Sequence, residues 1–215
     1  MTKSDTFFRG LLRLGAFFVL QALMMAITYE FTDNTAIIYT ITYLFPTIFL
    51  IYKWRRPLKD EVSSFPESFK KNFLKVFLVY LLFTLMCYTT NNMLYQLIGD
   101  IASNETAIRN ELNSSPLIIA IIFIFLAPIS EELIFRFNFR NTLKTPKRRY
   151  IITSILFALM HIAVSTELIF LLYLIPYLFL SLGLGYSYYK SDNIFMSIII
   201  HIFHNLINIM LLFIM

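Results

Sequence analysis

Residues 116–139 read PLIIAIIFIFLAPISEELIFRFNF. The first fifteen carry no charge, and the whole stretch is long enough for a helix to cross a bilayer, which takes about 20 mostly apolar residues. Inside it sit Glu131, Glu132 and Arg136. An ionised side chain at that depth costs about 2.5–3.5 kcal/mol on insertion scales, so such residues are candidates for function by default. Similar apolar stretches flank it at 7–29, 35–52, 73–97, 150–165, 167–189 and 194–214. The chain is 58% hydrophobic and 14% charged, where a soluble domain would carry about 25% charged residues. The sequence therefore predicts an all-α, polytopic transmembrane helical bundle. It has about seven spans, within a range of six to eight, in a single integral membrane domain over 1–215. Residues 7–29 lack a small-residue cleavage pattern and are read as the first span.

The connections set an orientation. Lys3, Arg9 and Arg13 precede or open the first span, and Lys53, Arg55, Arg56, Lys59, Lys70 and Lys71 crowd the second connection. Arg140, Lys144, Lys147, Arg148 and Arg149 follow the fourth span. The alternate connections carry Glu30 and Asp33, then Asp100, Glu105, Arg109 and Glu111. This alternation predicts an N-terminus inside and a C-terminus outside, in a cytoplasmic membrane. The net charge of +5 is thus loop charge, and no nucleic-acid partner is expected. The 53–72 stretch, with Trp54, Phe65 and Phe69 among its cations, reads either as an amphipathic segment on the inner surface or as an ordinary loop. Gly183 and Gly185 are positions where helices can approach closely. Cys87, the only cysteine, excludes an intrachain disulfide and a cysteine-based metal cluster.

All three histidines, His161, His201 and His204, fall in expected spans. Counted at 1.5 Å per residue from the basic ends, Glu131 and Glu132 lie about 12 Å deep, His161 about 16 Å, and His201 and Asn205 about 10 and 16 Å. This agreement predicts one shared polar site in the inner half, opening toward the cytoplasm. Glu132 and Arg136 are i, i+4 neighbours, as are Phe157 and His161; His201, Asn205 and Asn208 share a stripe with His204 beside it. A carboxylate next to a histidine deprotonates water, and a second histidine with an asparagine donates to an oxyanion. A transport site or a proton relay carries similar groups. A proton-coupled transporter is expected to show paired repeats with broken helices in both halves, whereas here the charges concentrate toward the C-terminus.

Glu131–Arg136 reads E-E-x-x-x-R, Phe157–His161 reads F-x-x-x-H, and His201–Asn205 reads H-x-x-x-N. In this order, each on a hydrophobic helix, these resemble the motifs of the CAAX protease and bacteriocin-processing family of intramembrane endopeptidases, also called the Abi family. The resemblance covers about 116–214, the expected catalytic core. It implies peptide-bond hydrolysis by a glutamate-activated water, with Glu131 as general base assisted by His161. His201 and Asn205 would form the oxyanion site, with Glu132 and Arg136 as supporting residues. His204 lies outside the pattern and is a further supporting candidate. No cofactor is expected; the alternative is Zn²⁺ held by Glu131, His161 and His201. The expected partners are the lipid bilayer and a peptide or membrane-protein substrate. The rival reading is a non-catalytic membrane partner of the same fold, such as a bacteriocin-immunity or sensor-kinase-binding protein.

Overall fold

The computed structural model describes residues 3–143, 145–162 and 168–214. The described residues contain no strand. Nine α-helices follow one another: α1 (Lys3–Tyr29), α2 (Thr35–Lys53), α3 (Arg55–Ile98), α4 (Ser103–Ser114), α5 (Pro116–Ile121), α6 (Ala127–Phe135), α7 (Pro146–Ile162), α8 (Leu174–Ser191) and α9 (Ile194–Ile214). Six described stretches are long and apolar enough to cross a membrane: α1, α2, α3, Pro116–Phe139, Leu171–Ser191 and α9. The remaining expected span is α7, which at 17 residues is short for a crossing. The chain is thus a multi-pass, all-helical bundle. The junction between the fifth and sixth expected spans, at 163–167, and the cation Lys144 lie outside the described residues.

Three features depart from the sequence reading. The basic 53–72 stretch is neither a surface helix nor a loop: α3 runs unbroken for 44 residues. At 1.5 Å per residue that is about 66 Å, twice the roughly 30 Å hydrocarbon core, so its basic start projects beyond the bilayer. The projecting turns are anchored by packing. Phe65, Phe69, Phe73 and Phe77 stack along one face with centroids 5.5, 4.5 and 5.5 Å apart, and Phe65 and Phe77 meet Phe195 and Phe203 of α9. The Glu61 carboxylate accepts from the Ile194 N–H at the start of α9 (2.8 Å), satisfying a helix-terminal donor. Secondly, the acidic connection after α3 holds the helix α4, whose Leu112 packs with Ile119, Ile122 and Ile209. Thirdly, the fourth span is interrupted by a π-helical turn at Ile122–Leu126.

The bundle has a basic end and an acidic end. At the basic end Asn138 donates to the Gly10 carbonyl (2.9 Å), Ser68 to the Ser191 carbonyl (2.9 Å) and Asn193 to the Glu61 carbonyl (2.6 Å). Trp54 closes on Phe137 there, 5.7 Å between centroids. At the acidic end the Tyr173 hydroxyl donates to the Asp100 carbonyl (2.5 Å).

Helix α8 packs chiefly against α3 and α7, and its glycines are what let it approach. A Cβ on Gly183 would meet Phe83 Cβ at 3.0 Å, and one on Gly185 would meet Ser154 Oγ at 2.7 Å and the Tyr150 ring at 3.2 Å. Ser154 cannot simply rotate away without losing its hydrogen bond to the Ser181 carbonyl (3.1 Å). Gly185→Val is expected to destabilise the bundle by about 1–3 kcal/mol through overpacking. Thermal unfolding in detergent measures this, and an unchanged midpoint would mean that α7 and α8 are not held at this separation.

Candidate active site

A cavity of about 490 Å³ opens into the bundle, and Glu131, His161, His201, His204 and Asn205 all line it. Glu132 and Arg136 do not line it; they form the layer behind. Adjacent residues on a helix point about 100° apart, so the two neighbouring carboxylates face different surroundings. The Glu131 side chain is 23% exposed, whereas that of Glu132 is fully buried.

Every partner of Glu132 is a donor. Its Oε1 lies 3.1 Å from the Arg136 guanidinium and 2.8 Å from His201 Nδ1, and the Ser197 hydroxyl donates to its Oε2. Arg136 also donates to the Ser181 hydroxyl (3.0 Å) and lies 4.1 Å above the Phe157 ring. A carboxylate braced in this way fixes its histidine. His201 Nδ1 carries the proton it donates to Glu132, so in the neutral ring Nε2 bears a lone pair. That Nε2 stands 3.7 Å from Glu131 Oε2. His201 donates from Nε2 only as the imidazolium.

His161 is fixed from its own helix. Its Nδ1 donates to the Phe157 carbonyl (2.8 Å) and its ring stacks on that of Phe157, 4.2 Å between centroids. The neutral ring therefore also offers a lone pair at Nε2. Phe157, fully buried, is the common support, since His201 packs against it edge-on at 5.8 Å.

The place of Asn205 follows from the π-helical turn. There Ala127 N–H bonds back to the Ile122 carbonyl, so the Phe123 carbonyl would next be paired by residue 128. That residue is Pro128, which has no N–H. The Asn205 amide donates to the stranded Phe123 carbonyl instead (2.8 Å). One N–H of Asn205 is thereby committed to the fold and a second is free for a ligand in the cavity.

His204 is both hydrogen-bonded and cavity-lining. Its Nδ1 lies 3.1 Å from the Tyr80 hydroxyl and its Nε2 accepts from the Asn208 amide (2.9 Å), while Tyr88 donates to Asn208. Sequence reading missed Tyr80, Tyr88, Ser181 and Ser197. Of these only Ser197 left a signal, four residues before His201 on the same face of α9. Among the described residues no group of three or more His, Cys, Asp or Glu is arranged to hold a metal ion.

The described lining of the cavity runs toward the acidic end of the bundle. It is bordered by Ala107, Ile108, Arg109 and Glu111 of α4 and by Leu211 and Leu212 near the end of α9, all at the acidic end. Toward the basic end lie buried Glu132 and Arg136 and the fully buried Phe137 and Phe139. Depth along each helix was readable from the sequence, whereas the free volume depends on which side chains fill the bundle.

A multi-pass membrane protein with Glu131, three imidazoles and the Asn205 amide around one internal cavity is the class that fold and site define. Residues 113–207 match the protein family described as type II CAAX prenyl endopeptidase Rce1-like, a span that includes all three motifs. A stretch of 107 residues, 49% of this chain, is 34% identical to UPF0177 protein YxdF of Lactococcus lactis subsp. lactis (strain IL1403) and covers 56% of that protein. The chain thus spans little more than half the length of this curated relative. No solved structure matches. The likeness to that family lies in the C-terminal part of the chain.

Proposed function

We propose that this chain is an intramembrane endopeptidase in which Glu131 activates the water that cleaves a peptide bond. The observation that carries the reading is the Glu131 carboxylate, 3.7 Å from His201 Nε2 in a cavity shared with His161, while Glu132 holds His201 from behind. Glu131 takes a proton from water, whose oxygen attacks the scissile carbonyl carbon. His161, with its lone pair at Nε2, helps to orient that water. The oxyanion receives the second N–H of Asn205 and, from the imidazolium form, the Nε2–H of His201. The C–N bond then breaks as the proton held at Glu131 passes to the departing amine. No step needs a metal or cofactor. The substrate class is a peptide or a protein tail at a bacterial cytoplasmic membrane.

The test is cleavage of a defined peptide library by the purified, detergent-solubilised protein, read by mass spectrometry. Discrete cleavage products that persist after treatment with a metal chelator are expected. Loss of all products on chelation, with recovery on adding Zn²⁺, would replace the proposed water activation by a metal-based one. A folded protein that cleaves nothing leaves the non-catalytic reading in its place.

A further inference from the structure

The described lining of the cavity reaches one end of the bundle, and the charges of the chain give that end a side. At its mouth Ala107 is exposed, and the Arg109–Glu105 ion pair (2.7 Å) has side chains 40% and 31% exposed. This mouth lies at the acidic end, with Glu131 in the lining and the buried Glu132–Arg136 pair behind it.

The cations fall overwhelmingly at the opposite end. Arg109 is the only Lys or Arg in segments 30–34 and 99–115, and none follows Lys190. The basic end holds Arg9 and Arg13 of α1, Lys53, Arg55, Arg56 and Lys59 at the α2–α3 junction, and Arg148 and Arg149 at the start of α7. In short connections this bias in Lys and Arg sets orientation, and the cation-rich ends stay in the cytoplasm. The mouth is then on the other face.

We propose that the cavity opens at the extracytoplasmic face, and that its ligand is a peptide segment already delivered across the membrane. The side of access rests on cavity and charge alone; that the ligand is a peptide rests on the proteolytic reading above. The lining agrees with an extended peptide. Asn205, Asn208 and Tyr88 supply hydrogen-bonding groups along one part, and Tyr39, Tyr43 and Phe123, packed 5.9–6.2 Å apart, supply an apolar surface along another. A peptide backbone drawn into a site removed from bulk water needs the first, and its apolar side chains need the second.

The chain's single cysteine makes the test clean. In a Cys87→Ser background, single variants Ala107→Cys, Asn113→Cys and Arg148→Cys are treated in intact cells with a membrane-impermeant maleimide, then again after permeabilisation. Ala107→Cys and Asn113→Cys, both on α4, are expected to react in intact cells. Arg148→Cys, at the basic end, is expected to react only after permeabilisation. The reverse pattern overturns the proposal, as does reaction of the α4 variants only in permeabilised cells. Because this readout needs no activity, the expected labelling together with a purified protein that cleaves no peptide would uphold the side of access. It would count against the proteolytic reading alone.

Discussion

Glu131→Gln is expected to lower the rate of peptide cleavage by about 10²–10⁴-fold, the usual contribution of a positioned general base, while the protein stays folded. The glutamine keeps the size and shape of the side chain but cannot take up the proton of the attacking water. Fold should survive because Glu131 borders the cavity, with 23% of its side chain exposed, and its contact with His201 is as long as 3.7 Å. Its stability change should stay within about 0.5 kcal/mol, as for most substitutions away from packed or paired positions. The measurement is the initial cleavage rate of a library-derived peptide beside the thermal midpoint of the same preparation. A well-folded Glu131→Gln protein that cleaves at the parental rate would remove Glu131 from the chemistry and the proposed water activation with it.

Glu132→Gln, one residue further on, is expected to act mainly on stability. It would leave the Arg136 guanidinium, 1% exposed, without its carboxylate partner at 3.1 Å. Breaking a buried pair from one side costs about 3–5 kcal/mol, because the remaining charge has no compensation. Ser181 and the Phe157 ring stay in contact with Arg136 but carry no negative charge. His201 would also lose the ionic partner that fixes its Nδ1–H, so activity is expected to fall together with the thermal midpoint. The double variant Glu132→Gln/Arg136→Met separates the two effects. Removing both charges should recover much of the stability, and activity should stay low because His201 is no longer oriented. A thermal midpoint for Glu132→Gln equal to that of the parent would mean that this pair does not bear on the fold. The contrast between neighbouring glutamates is the sharpest consequence of the geometry, since a purely structural or purely catalytic E-E pair would give two variants of the same kind.

Much of this was legible in one dimension. Lipid offers the backbone no hydrogen-bond partners, so apolar length alone calls for helices. The positions of Glu131, His161, His201 and Asn205 along their helices also follow from counting, and the structure brings all four to one cavity. The length rule is silent where the sequence is polar. That is why the start of α3 and the whole of α4 read as connections, although the Phe65–Phe77 stack and the Leu112 contacts make them helical elements of the bundle.

The sequence by itself determined that this chain is a membrane-embedded helical bundle with its acids and imidazoles at matched depth, because span length and depth are sums along a single helix. Only the tertiary structure decided which glutamate meets the cavity, that Asn205 answers the carbonyl stranded by Pro128, and that the cavity runs to the acidic end. Each of these depends on how one helix is rotated against its neighbours, and spacing along a chain carries no record of what stands across the gap.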